Sequence, residues 1–277
     1  MFDLIDESGQ DLKRYGYAVK QLENFDMSIA YMKVDSIYKS QKLGLEKGEY
    51  YIINSPSLYE NSFDNDHFLI KQISSKLKLL FSSFSITQND KILIVGIGNP
   101  DIDADKLGKV VFDNVEVDAL NKNNRIFKIC PNIFFSTGIE TFDLVKMLVK
   151  GLKANLVIII DSLTTSSLSR LGTSFQITTS GLTPGSGVNR FGKRINSQSI
   201  GAKCISIGVP FMIFSGSINS ESPVEVVLSP KDIKENVERA GFIIAKAIEE
   251  VLKWTYFFWF LSLLFLFASF QSNLKGG

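Results

Sequence analysis

The chain has 277 residues, a mass of 30.9 kDa and nearly balanced charge, with 30 basic and 29 acidic side chains for a net +1. That length suits one large domain or two small ones, 45% hydrophobic content excludes global disorder, and the balance gives no basic excess for a nucleic-acid partner. With one histidine, His67, and two cysteines, Cys130 and Cys204, a catalytic triad has to use His67, a zinc site of His and Cys consumes the whole supply, and a disulfide framework is ruled out, so a reduced, cytoplasmic protein is the simple reading.

The first residues, MFDLIDESGQDLKRYG, are acidic and lack the apolar core of a secretory signal. Residues 50–54 (YYIIN) read as a short strand. Phe68, Ile70, Ile73, Leu77, Leu80 and Phe81 have helical spacing and predict a helix over 67–84. His67 enters that helix from a polar stretch, where a surface role outweighs catalysis. KILIVGIG (91–98) is an apolar run with β-branched residues followed by Gly-Asn-Pro, a buried strand ending in a turn. A helix is expected over 104–115, a strand over 125–130, and a helix over 139–151 with Phe142, Val145 and Leu148 on one face. NLVIIID (155–161) is a second apolar strand, ending in an aspartate. Residues 175–178 form another strand, and KCISIGVP (203–210) a third apolar one closed by proline. Ser229-Pro230 then opens a helix to about Leu252.

Apolar strands alternating with helices predict an α/β fold with a largely parallel sheet covered on both faces. Beyond it, Trp254 to Phe270 is uncharged, with 14 of 17 residues apolar or aromatic. As a helix it rises about 26 Å. It reads as a membrane anchor, against a buried terminal helix or an out-of-frame end.

Ligand sites in such sheets lie at the carboxyl ends of the strands. Gly96 and Gly98 suggest a dinucleotide fingerprint, but Asp101 stands at the third glycine and would repel a pyrophosphate. The turn instead offers Asp101, Asp103 and Asp105. Asp105 starts the next helix and can point back over the strand ends. Asp161 follows three isoleucines and leaves the sheet core, or else caps the next turn. Two carboxylates on adjacent strand ends cannot both ionise easily. One then keeps a proton and serves as general acid while the other activates water. The glycine-rich segment 180–194, with Arg190, Lys193 and Arg194, reads as a substrate-facing loop, against a flexible surface loop. Ser162 and Ser186 lack a G-x-S-x-G elbow and are read as hydrogen-bonding neighbours. Glu140 either favours a helix dipole or lines the cleft.

The strings GIGNPDIDADKLG, STGIETFDLVK, LVIIIDSLTTSSLSRLGTSFQITTSGLTPGSGV, ISIGVP and LSPKDIKENVERAGFIIAKAIEEVL, in that order, resemble the germination protease family of spore-forming bacteria. The resemblance runs from about Tyr17 to Leu252. It implies a three-layer α/β sandwich with a mostly parallel or mixed central sheet, like that of hydrogenase-maturation proteases. It also implies a homo-oligomeric zymogen, an endopeptidase of small acid-soluble spore proteins acting in the spore core or forespore. The family's two essential aspartates fall on Asp105 and Asp161. Gly98, Asn99, Gly138, Glu140, Ser162, Gly185, Ser186, Gly187 and Arg190 are the supporting or substrate-binding candidates. On this reading residues 1–16 are a propeptide-like extension, 17–252 the peptidase domain and 253–277 a tail outside the family pattern. Ala104 replaces a proline, Thr183 a histidine, and Gly16 the acidic residue at the processing site. No cofactor is expected; the alternative is one divalent cation on Asp105, Asp161 and Glu140. A second alternative is a membrane-tethered homologue without activity.

Overall fold

The computed structural model describes residues 12–22, 25–55, 63–117, 124–132, 134–185, 192–218 and 226–274, apart from the side chains of 63, 64, 135, 217 and 256–274. In chain order the main elements are β1 (Ala18–Leu22), β2 (Met27–Val34), α1 (Ile37–Leu43), β3 (Gly48–Asn54), α2 (Phe63–Ser83), β4 (Ile92–Gly96) and α3 (Leu107–Asn114). They continue with β5 (Ile126–Ile129), α4 (Thr141–Leu152), β6 (Leu156–Thr165), β7 (Ser174–Thr178), β8 (Lys203–Phe214), β9 (Val227–Leu228) and α5 (Ile233–Leu274). The strands form one sheet in the order β1-β2-β3-β7-β8-β6-β4-β5, with β9 added to β8. β5, β4, β6 and β8 pair in parallel. From β8 through β7, β3 and β2 to β1 every pairing is antiparallel. The sheet is therefore mixed, and β8 is the strand at which its direction rule changes.

Strand alternation splits the apolar residues between two faces. Ile92, Ile94, Leu156, Ile158, Ile160, Ile205 and Ile207 pack under α2, α3 and α5. Leu93, Val95, Val157, Ile159 and Cys204 face the other way, onto Phe142, Val145 and Val149 of α4. In the antiparallel half, Ala30, Met32, Tyr50 and Ile52 on that same second face are covered by Leu43 of α1 and by Leu12. Three layers result. Leu12 is buried, with Tyr17 N donating to Leu12 O at 3.1 Å, while Lys13, Arg14 and Gly16 are exposed.

Several boundaries differ from the sequence reading. β6 does not stop at Asp161: it runs four residues further, all buried, so Asp161 stays in the sheet and caps no helical turn. β8 likewise passes Pro210. Leu163 pairs with Pro210 and Thr164 with Met212, so a bulge absorbs Phe211 beside the residue that has no N–H for the ladder. α5 starts at Ile233, with Asp232 O taking the Asn236 N–H, rather than at Ser229-Pro230.

α5 buries Val237, Ala240, Ile244, Ala247, Ile248 and Val251 in the core it shares with α2 and α3. Arg239 reaches Asp66 of α2 with Nε at 2.9 and 3.0 Å from the two carboxylate oxygens. Arg125, 2% exposed, donates through Nη2 to Leu252 O and to Thr255 Oγ1 at 2.9 Å, tying the start of β5 to this helix. Trp254 still packs on the core. The α5 backbone continues through 254–270, but the anchor reading concerns side chains from 256 onward, which lie outside the described residues. Among the described residues no helix is long and apolar enough to cross a membrane.

Candidate functional site

β4 ends where the backbone must pass very close to α3. A Cβ on Gly96 would lie 2.1 Å from Gly108 O, and one on Gly98 only 1.9 Å from Asp105 O. Gly98 has φ +115°, which L side chains rarely adopt. These contacts fold the turn onto a 3-10 segment, Asp103–Asp105, whose Ala104 is buried in the core. Asp105 Oδ2 accepts the Asn99 N–H at 2.8 Å, and Asn99 Oδ1 accepts the Asp101 N–H at 3.0 Å. Lys106 Nζ lies 2.8 Å from Asp103 Oδ1 and 3.2 Å from Glu238 Oε1 on α5.

Asp161 sits on the neighbouring strand. Ile97 N donates to Ile160 O at 2.8 Å, so the start of the β4 turn runs beside Asp161. The two expected carboxylates thus come from neighbouring elements, Asp161 from within β6 and Asp105 from the 3-10 segment after the β4 turn. Asp161 is 7% exposed and points to the face covered by α4 and α1. There it lines a cavity of about 100 Å³. Asp105 stays outside that lining, at the β4 turn.

The cavity is built by strand register. One row across the sheet is Asp161, Gly208 and Gln176; the next is Ser206, Thr178 and Tyr50. Leu163 packs directly over Gly208, where a Cβ would lie 2.6 Å from its side chain. Arg194 closes one side, its Nη2 donating to Ser180 O at 3.1 Å and Gly181 O at 3.2 Å. Its Nε and the Ser206 hydroxyl are buried without hydrogen-bond partners. Tyr50 donates its hydroxyl to Glu46 O at 2.6 Å, and burial raises its phenol above the ordinary value. Tyr50, Gln176, Thr178 and Ser206 are absent from the sequence-derived set. For the last three the signal is a polar or small residue at alternate positions of otherwise apolar strands (Gln176 and Thr178 in β7, Ser206 and Gly208 in β8).

The remaining candidates are dispersed. Gly138 is exposed in the loop before α4, with φ +67°. Glu140 precedes α4 and accepts the Leu144 N–H through its backbone, its side chain making no cap bond. Ser162 points to the opposite face from Asp161, its buried hydroxyl unpartnered. Gly185 is in a turn at φ +75°, while Ser186, Gly187 and Arg190 lie outside the described residues. His67 is exposed on α2. Burial pushes the Cys204 thiol up to about 12. Among the described residues no group of three or more His, Cys, Asp or Glu side chains is placed to hold a metal ion, so Asp105, Asp161 and Glu140 do not converge as one ligand set.

Comparison with known proteins places these features in a family. The germination protease of Caldanaerobacter subterraneus subsp. tengcongensis is 30% identical over 235 residues, covering 80% of this chain and 71% of that protein. That of Priestia megaterium is 28% identical over 217 residues, covering 75% and 58%, and that of Bacillus cereus 27% identical over 217 residues, covering 75% and 59%. The chain thus spans 58% to 59% of the length of the last two relatives. Among solved structures, a [NiFe] hydrogenase maturation protease, HycI from Thermococcus kodakarensis KOD1, aligns with a TM-score of 0.38 and 22% identity, covering 62% of this chain and 99% of that one. The germination protease family model matches residues 5–241, and on that match the chain belongs to the germination protease family.

Proposed function

We propose that this protein is an endopeptidase that degrades small acid-soluble spore proteins during germination, with Asp105 and Asp161 as its acid–base pair. The carrying observation is that Asp161 in β6 and the β4 turn that leads to Asp105 run side by side, Ile97 N donating to Ile160 O, in a chain of this family. One carboxylate takes a proton from water as it attacks the peptide carbonyl; the other, protonated, delivers a proton to the departing nitrogen. This chemistry calls for no cofactor. The reading places the protein in the spore core or forespore as a homo-oligomer. Family membership supports it, and so does the polar cavity that Asp161 lines.

The test is cleavage of a purified small acid-soluble spore protein by the full chain, by Asp105→Asn and by Asp161→Asn. Each variant is expected to lose a factor of about 10²–10⁴ in kcat. Full activity in both variants would sink the reading.

A further inference from the structure

We infer that Lys106 is a positioning residue: held between Asp103 and Glu238, it fixes the turn that carries the Asp105 carboxylate. The inference rests on the proposed role of Asp105, and the geometry behind it is local. Lys106 directly follows Asp105 and caps α3 through its backbone, its O accepting the Val110 N–H. A lysine at a helix N-terminus is opposed by the helix dipole, so its own helix gives it no reason to be there. Its ammonium instead spans Asp103, in the turn, and Glu238, on α5, and its side chain is only 14% exposed. The Asp103 contact first, and Glu238 with it, raises the Lys106 ammonium above its ordinary value.

The turn has two kinds of anchor. On the β4 side it is held by close packing, Gly98 against Asp105 O and Gly96 against Gly108 O. On the α5 side Ala104 is inserted into the core, and Lys106 supplies the charged tie. Because Asp105 lies between these anchors, loss of the Lys106 tie lets its carboxylate move relative to β4. The Asn99 N–H that Asp105 accepts reports directly on that movement.

The experiment uses the full chain with Lys106→Met, Lys106→Arg and Glu238→Gln. Amide hydrogen exchange over 98–108 is measured beside exchange in β8, with kcat and KM for a small acid-soluble spore protein. Lys106→Met is expected to raise exchange at Asn99 about tenfold with β8 unchanged, and to lower kcat about tenfold with KM nearly constant. Glu238→Gln should shift both in the same direction, and Lys106→Arg should restore most of both. Unchanged Asn99 exchange in Lys106→Met overturns the inference. So does a rise shared equally by β8, and so does a raised exchange with undiminished kcat in an active parent. If the parent cleaves nothing, the peptidase reading fails, and the exchange data alone decide whether Lys106 holds the turn.

Discussion

Replacing Gly98 with alanine tests the construction of the site most directly. The new Cβ would meet Asp105 O at 1.9 Å, whereas real Cβ atoms stay beyond 3.0 Å. The Asp105 carbonyl would therefore have to retreat by roughly 1 Å, and it belongs to backbone held by Ala104 and α3. Forcing alanine to φ +115° adds about 1–3 kcal/mol, and overpacking adds about 1–3 kcal/mol more. A total near 3 kcal/mol lowers the thermal midpoint by about 6–12 °C in a chain of this size. If the fold survives, a displacement of about 1 Å at Asp105 costs about 10²-fold in rate. Circular dichroism melting and a peptidase assay read the two effects separately. Gly151→Ala is the control: it sits exposed near the end of α4 with nothing within 4 Å of its Cβ, and the change should stabilise by about 0.5 kcal/mol. A Gly98→Ala protein that melts with the parent and cleaves at the parent rate would show that the close approach of the turn to Asp105 is wrong.

Arg125→Met should cost about 3 kcal/mol, because the Leu252 carbonyl and the Thr255 hydroxyl lose a buried charged donor; urea midpoints check this, and parent-like stability would refute it. The Cys204 thiol, raised from 9.0 to about 12 by burial, stays protonated in the folded chain while the unfolded chain ionises near its ordinary value. Its folded pKa being the higher, stability is full below about pH 9 and falls above it by about 1.4 kcal/mol per pH unit. Cys204→Ala should flatten the loss measured between about pH 8 and pH 10.5. The raised Tyr50 and Tyr51 phenols add the same sign at higher pH.

The parallel half of the sheet is legible in the sequence because β4, β6 and β8 are buried on both faces and read as continuous apolar runs. In the antiparallel half only β3 and β7 are legible, as the strands read over 50–54 and 175–178. β1 (AVKQL) is mostly exposed, and β2 (MSIAYMKV) mixes polar and apolar residues, so neither gives such a run. Strand ends are misjudged for a related reason. Asp161 looks like an exit from the sheet, yet it lies inside β6, in register with Gly208 and lining a cavity with Gln176. Pro210 looks like a stop, yet the bulge removes the need for its missing N–H. Both aspartates follow from charge placed after apolar strands. The cavity does not, since Tyr50, Gln176 and Arg194 reach it only through pairings of distant segments.

The junction between β3 and β7 has a kinetic meaning. Strands β1 to β3 are neighbours in sequence and can pair with little loop entropy, whereas Glu49 and Thr179, which bond each other across this junction, are 130 positions apart. The N-terminal meander joins β7 along a single ladder, and its Met27, Ile29, Tyr51 and Ile53 share the core under α2. Tyr50 and Thr178 pair in that ladder and also line the cavity. A sub-global opening along it would part Tyr50 from Asp161 while β4, β6 and β8 stay paired. On the proposed function, a mutation that loosens this seam would ease access to the cavity and would also lower the free energy of global unfolding, since the seam is broken in the unfolded chain as well.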